Sequence, residues 1–472
     1  MSISDKIHFL NPNPSLKRTL EQFRIDEISF KLTEPTNRNS VDLHKWLKSE
    51  SWDSILLKID KVFPVFARRI DEMQSWGMQK RLIAIKIIEL LEIMRTQNVK
   101  ILMFPTGVSH HPDNVCAEIA CQILNVKQIF FYLTPISNRV LVSIQTQGLS
   151  TRHFIPFKPT SNNNIIKHSD EEFSDIGIRT LQPGENPENR LWRAVWKYSK
   201  FHFKHSIKQL CTKRFYLRKR AIHADLELII NFKKSTFIKN ILIMIEQNTS
   251  LFYFKIRTRN HVKQIEKLVQ GNVGGDPIIC IFAHFQPEAS TFVEGGEFNS
   301  HLDVVSRMRS CGVMVPIVYK EHPGTFSFLN HGYPNGVGTQ RSVNYYKALE
   351  KMGCLFTEQD ILKEKRIPYL AATISGSVAI ERSLKGMETL YFGMPWWAGL
   401  PGTSKFTDKS NLVRSKDQTH SAQAARTFLM ELFQNSSMTN HLIHIGDSTL
   451  SNEEIKNFEF ELRELVDYLR NH

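Results

Sequence analysis

The 472-residue sequence predicts an α/β protein of two lobes with a basic helical segment inserted between them. Three observations carry this expectation. Short apolar runs alternate with helical periodicity in both halves of the chain, the pattern of strand–helix–strand units in parallel sheets. The stretch Gly271-Asn272-Val273-Gly274-Gly275-Asp276-Pro277 reads as a linker between the halves. At roughly 150 residues per domain, the length accommodates two large domains and a smaller element.

Taken in order, the first forty residues read as irregular or peripheral, with Asn11-Pro12-Asn13-Pro14 as turn punctuation. Helical periodicity runs from about Val41 to Arg95, where Leu82, Ile83, Ile87, Leu90, Leu91 and Met94 recur at helical intervals. Val99 to Phe104 is a strand ending at Pro105-Thr106-Gly107, Val115 to Leu124 a helix, and Gln128 to Leu133 a second strand. Residues 145–190 are rich in Asn, Ser, Thr and Pro and read as loops. After a further helical stretch and the linker, Ile278–Ala283 is a strand, Ser300–Arg309 a helix and Val315–Tyr319 a strand. Tyr369–Ile374 and Thr389–Phe392 are strands around a helix from Ser377 to Lys385, which Gly386 terminates. The last twenty residues form one amphipathic helix. The expected boundaries are 1–150 for the first lobe with its leading helices, 151–270 for the basic aromatic-rich region, 271–445 for the second lobe and 446–472 for the terminal helix.

Composition removes several classes. Hydrophobic residues at 41% and charged residues at 23% indicate a globular chain instead of a disordered one. No secretory pattern opens the sequence, and no apolar run reaches the ~20 residues of a membrane helix. The six cysteines are scattered without a Cys-x-x-Cys pair, which argues for reduced thiols and against a zinc ribbon. A cytoplasmic protein is expected. Its net charge of +14 favours an anionic partner. Much of that charge lies between Arg190 and His223, where eleven Lys or Arg and no acid are interleaved with Trp192, Trp196, Tyr198, Phe201, Phe203, Phe215 and Tyr216. That stretch reads as a contact for an anionic inner-membrane surface, as a nucleic-acid contact, or as a solvated helical face with aromatics on the core.

Three clusters in the second lobe carry candidate chemistry, each at a strand end. In Ala283-His284-Phe285-Gln286-Pro287-Glu288, the carboxylate of Glu288 suits a base or nucleophile, and Gln286 suits a substrate contact. In Tyr319-Lys320-Glu321-His322-Pro323-Gly324, the proline restrains His322, which together with Lys320 can donate to a phosphate and neutralise departing charge. In Thr373-Ile374-Ser375-Gly376-Ser377-Val378-Ala379-Ile380-Glu381, a small-residue turn opens a helix whose free N–H groups favour an anion, with Glu381 one turn in. The bland readings are a turn with an exposed Glu, a structural His and an ordinary capped helix.

The succession of these segments, followed by Gly386 and Tyr391-Phe-Gly-Met-Pro-Trp-Trp-Ala-Gly399, resembles the bacterial capsular polysaccharide biosynthesis family. Its Kdo transferases show similar Gln-x-Glu, Lys-Pro-His-Pro and Thr-Gly-x-x-x-Glu-Ala segments. The resemblance covers roughly residues 278–403; the first lobe matches in outline, through Phe104-Pro105 and His110-His111-Pro112-Asp113. It implies two Rossmann-type lobes of the GT-B kind and a glycosyltransferase using a nucleotide sugar, with a CMP-activated acidic sugar favoured. It further implies a polysaccharide or lipid-linked glycan acceptor and no cofactor. Carried over by position, His322 and the Gly376/Ser377 turn would bind the donor phosphate and Glu381 the ribose or base, within a nucleotide-binding set that also takes in Lys320, Pro323 and Ser375. Gln286 and Glu288, with His322, would face the reaction, and His110, His111 and Asp113 the acceptor side. The chain departs from the family at Ser290, where those transferases carry an acid, and at Arg382, which replaces a small residue. No Asp-x-Asp metal motif occurs, so phosphate stabilisation by side chains and a helix terminus is expected without a metal. The competing readings are an inactive capsule-assembly or export scaffold of the same fold and a nucleic-acid-binding protein. The latter rests on charge alone, without an RNP, zinc-finger or helix-turn-helix signature.

Overall fold

A computed structural model describes residues 7–12, 14–29, 50–61, 76–105, 112–134, 139–145, 152–156, 235–271, 278–284, 294–298, 300–322, 341–357, 369–412, 419–439 and 452–471. The chain begins with β1 (Ile7–Leu10), α1 (Pro14–Gln22) and β2 (Asp26–Ile28), followed by α2 (Glu50–Lys61) and α3 (Trp76–Thr96). Then come β3 (Ile101–Phe104), α4 (Pro112–Leu124), β4 (Lys127–Leu133), β5 (Arg139–Gln145) and β6 (Arg152–Phe154). β1 pairs in parallel with both β2 and β3, β3 in parallel with β4, and β5 joins antiparallel to β4.

Two sequence expectations fail here. The first forty residues are not all peripheral, because β1 is an interior strand of the first sheet. All four of its residues are buried, so it shows no alternation, and the flanking Asn-Pro signals dominate a sequence reading. Within 145–190, Arg152–Phe154 is a strand on β5. The basic aromatic stretch 190–223 lies outside the described residues.

The second half opens with α5 (Ser235–Gly271), then β7 (Ile278–Phe282), α6 (His301–Ser310), β8 (Ile317–Lys320), α7 (Val343–Lys351) and β9 (Cys354–Thr357). It continues with β10 (Tyr369–Thr373), α8 (Val378–Ser383), β11 (Thr389–Tyr391) and β12 (Thr403–Lys405). Serine caps start two of these helices: the Ser300 hydroxyl accepts the Leu302 N–H, and the Ser342 hydroxyl accepts the Tyr345 N–H. The six strands pair in parallel throughout, in the order β12-β11-β10-β7-β8-β9. Counted within this sheet the order is 6-5-4-1-2-3, the doubly wound arrangement of dinucleotide-binding folds. Strands buried on both faces explain the continuous apolar runs. Ile279, Ile281, Tyr319 and Phe356 pack on one side, and Ile278, Cys280 and Val318 on the other.

The edge strand β9 is covered by α5. Phe254 of that helix stacks on Phe356, and the His261 Nδ1 accepts the Phe356 N–H at 2.9 Å, which satisfies a donor that an open edge would expose. Helix α5 thus belongs to the second unit, not to a separate region ending at 270. The last elements are α9 (Thr419–Ser436), β13 (Ser437–Thr439) and α10 (Asn452–Asn471). β13 pairs antiparallel with β5 of the first sheet, within the span assigned from the sequence to the second lobe. α10 lays Phe458, Leu462, Leu465 and Leu469 on the first sheet's core, beside Phe9, Met103 and Phe131. The chain therefore returns to its first unit at the end.

Candidate functional site

In the second sheet β7 and β10 are neighbours. The chain winds from β7 through β8 to β9 on one side, and from β10 through β11 to β12 on the other. The crevice outside the carboxyl ends of β7 and β10 is therefore the switch point where doubly wound sheets take ligands. His284 follows β7 there, Glu321 and His322 follow β8, and the turn Ile374–Ser377 follows β10.

His284 is held on three sides. Its N–H donates to the His301 Nε2 at 3.1 Å, and its carbonyl accepts from the Arg341 guanidinium at 3.0 Å. Its ring Nε2 accepts the Ser375 N–H at 3.1 Å and lies 3.1 Å from the Thr373 hydroxyl. Thr373 Oγ1 in turn accepts the Gly376 N–H at 3.1 Å, which leaves the threonine's own proton to donate to the ring. Two donors at Nε2 fix the tautomer with the proton on Nδ1. Burial pushes the His284 pKa down to about 3, aided by neighbouring His322 and Arg341, so the ring is neutral at physiological pH.

The Arg341 that holds the His284 carbonyl belongs to a buried ion pair. Arg341 Nε donates to Glu321 Oε2 at 3.0 Å, and Tyr346 donates to the same oxygen at 2.8 Å. The other Glu321 oxygen accepts the His322 N–H at 2.9 Å, and the guanidinium sits 4.8 Å from the centre of the Tyr345 ring. Such a pair is costly to bury and is tolerated because its remaining hydrogen-bonding positions are filled. It anchors the start of His322. That imidazole is half-buried, and burial lowers its pKa more than the Glu321 carboxylate raises it. The Lys320 ammonium lies 4.8 Å from the centre of the Phe282 ring.

The small-residue turn departs from the sequence expectation in one respect. The Ser375 and Gly376 N–H groups are engaged by His284 and Thr373 and are not free for an anion. Among the described residues, the N–H groups of Ser377 and Val378 have no partner. Ser377 is exposed, has helical backbone angles and makes no side-chain cap. Gly376 is required by close approach, since a Cβ there would lie 2.7 Å from Thr373 Oγ1 and 3.3 Å from His284 Nε2. Glu381 lies half-buried in the first turn of α8. Arg382 turns inward, stacking 4.6 Å from the Tyr369 ring centre and donating to the Glu388 carbonyl.

The segment after β11 packs against Glu294, ahead of α6. The Met394 N–H donates to the Glu294 carbonyl, and a Cβ at Gly393 would fall on that same carbonyl. Trp397 is fully buried beside Tyr391.

The structure therefore brings Lys320, His322, Ser375, Gly376, Ser377 and Glu381 to the carboxyl-end region of one sheet. Gln286, Glu288, Pro323, His110 and His111 lie outside the described residues. Asp113 is in the first turn of α4, in the first unit, close enough to help burial raise the Cys116 pKa. The sequence reading misses His284 as a working residue, although its place directly after a strand is a usable signal. Nothing in the sequence marks His301 or Arg341. Among the described residues no cluster of His, Cys, Asp or Glu is arranged to hold a metal ion, and no helix is long and apolar enough to cross a membrane.

Two α/β units in one chain, the second with the doubly wound strand order, give the domain content of the GT-B-like class. Among solved structures, the chain is similar to KpsC of Thermosulfurimonas dismutans, a β-Kdo 2,7-transferase, with 12% identity and a TM-score of 0.33 over 98% of this chain and 99% of that one. A β-Kdo 2,4-transferase KpsC from the same organism matches at 12% identity and a TM-score of 0.26, over 73% of this chain and 87% of that one. The UDP-GlcNAc 2-epimerase of Methanocaldococcus jannaschii, in complex with UDP-GlcNAc and UDP, matches at 11% identity and a TM-score of 0.22, over 90% and 98%. No protein-family model and no curated protein matches the sequence.

Proposed function

We propose that the protein is a glycosyltransferase that moves a sugar from a nucleotide donor, a CMP-activated acidic sugar of the Kdo kind, to a capsular or surface glycan or glycolipid acceptor. The observation that carries this reading is the convergence of segments. The pieces that resemble the Kdo transferases in sequence order follow β7, β8, β10 and β11, neighbours around the switch point of one sheet. A resemblance confined to packing would have no reason to collect at strand ends.

In this reading the donor phosphate is met by the His322 imidazole, the Lys320 ammonium and the turn at Gly376 and Ser377, through the Ser377 N–H, with Pro323 restraining the histidine. Glu381 accepts from the ribose or base. Charge developing on the departing phosphate is stabilised by these fixed donors, a role that needs no metal. Gln286 orients the sugar. Glu288 acts on it as a base toward the acceptor hydroxyl in an inverting reaction, or as nucleophile in a retaining one. His110, His111 and Asp113 serve the acceptor. The basic stretch 190–223 holds the enzyme peripherally to an anionic inner-membrane surface, where a lipid-linked acceptor would reside.

A thermal-shift panel of CMP, UDP, GDP and their sugars tests this, because a ligand that binds only the folded chain raises its stability by mass action. CMP is expected to stabilise most, with or without EDTA. Stabilisation by UDP alone would move the protein to another donor class, and no shift with any nucleotide would favour a scaffold.

A further inference from the structure

We infer that His284 is a positioning residue that fixes the turn after β10 through hydrogen bonds to its ring Nε2. This role rests on the reading of that turn as part of the donor-phosphate site, and extends it to a residue that does not itself touch the donor.

A turn joining a strand to a short helix leaves successive N–H groups without helical partners. Here the first two are satisfied inside the protein, Ser375 by the His284 ring and Gly376 by Thr373, whose hydroxyl also reaches that ring. The turn is thereby tied to the residue that follows β7, the strand beside its own. An acceptor suits this post only if it keeps its lone pair, and a histidine does so only while neutral. Its surroundings supply that condition. The ring is buried near His301 of α6, Arg341 before α7 and His322 after β8, and among the described residues no carboxylate bonds to it. The backbone of His284 is clamped by His301 and Arg341, so the acceptor cannot retreat from the turn. Gly376 completes the fit, because any side chain there would push the turn off the ring.

The test reads the turn directly, then its use. Backbone amide exchange over residues 374–378 is followed in wild type, His284→Leu and His284→Gln; glutamine retains an acceptor near the Nε2 position. His284→Leu is expected to speed exchange at Ser375 by about tenfold, the loss of one ordinary hydrogen bond, with glutamine restoring protection to within about twofold. Thr373→Val, nearly isosteric, is expected to do the same at Gly376 and serves if His284→Leu does not fold. CMP titration of the same variants should show affinity falling with the lost protection and returning in His284→Gln. Equal exchange in all variants, or equal loss with glutamine and leucine, overturns the positioning role. If exchange changes as expected but CMP binds none of the proteins, the positioning stands and the donor assignment fails.

Discussion

The neutral, buried state of His284 has a consequence for acid stability that can be worked out from its surroundings. In the unfolded chain this histidine titrates near its ordinary value of 6.5, whereas in the fold burial, His322 and Arg341 hold it near 3. Because the folded pKa is the lower one, the unfolded state takes up the proton first. Stability is therefore complete above about pH 6.5 and is lost progressively as pH falls toward about 3. Well below the unfolded pKa the loss is about 1.4 kcal/mol per pH unit, so moving from pH 7 to pH 5 costs about 2 kcal/mol through this group alone. His301 loses stability in the same direction, since burial, Arg341 and His284 also lower its pKa. His284→Gln removes its own titration and leaves those of the other buried histidines, His301 among them, in place. Its unfolding free energy, measured in urea by hydrogen exchange of the β7 and β10 peptides, should fall by about 2 kcal/mol less than wild type between pH 7 and pH 5. An identical pH slope in variant and wild type would mean that His284 carries the same protonation in both states, and would refute the assignment of a neutral ring accepting two donors.

Three further outcomes are expected. His322→Ala should weaken CMP binding by about one to two decades, the worth of a hydrogen bond to a charged phosphate at ~1.5–3 kcal/mol; unchanged affinity by calorimetry would make His322 structural. Glu288→Gln should leave CMP affinity nearly intact and lower turnover by ~10²-fold or more, and surviving turnover would turn attention to Asp113. Gly376→Ala should destabilise the second unit by ~1–3 kcal/mol and weaken CMP binding, because the methyl overlaps Thr373; wild-type stability in denaturant would show that the turn relaxes freely.

Particular residues show what is legible in the chain and what is not. The interior strands β7, β8 and β10 stand out as apolar runs, because a parallel strand buried on both faces has no polar side to interrupt it. The strands Cys354–Thr357 and Ser437–Thr439 do not, because each is short and has no alternation of its own to show. Ile7–Leu10 is hidden by its neighbours Asn11 and Pro12, although three of its residues pair with β3. The contact of Arg382 with the Tyr369 ring is likewise invisible in the sequence, because the two residues are thirteen positions apart and on different elements.

Hydrophobic period and turn chemistry are local properties, so the α/β class, the order of the segments and the residue types that end the strands of the second unit are all written along the chain. Strand order is not. That Ile279 of β7 lies against Leu370 of β10, with β8 and β9 wound to the other side, depends on which buried faces pack together across long stretches of chain. The same pairing brings the His284 ring to the Ser375 N–H. No short-range pattern encodes such a contact, because its two partners meet only when the sheet has closed around them.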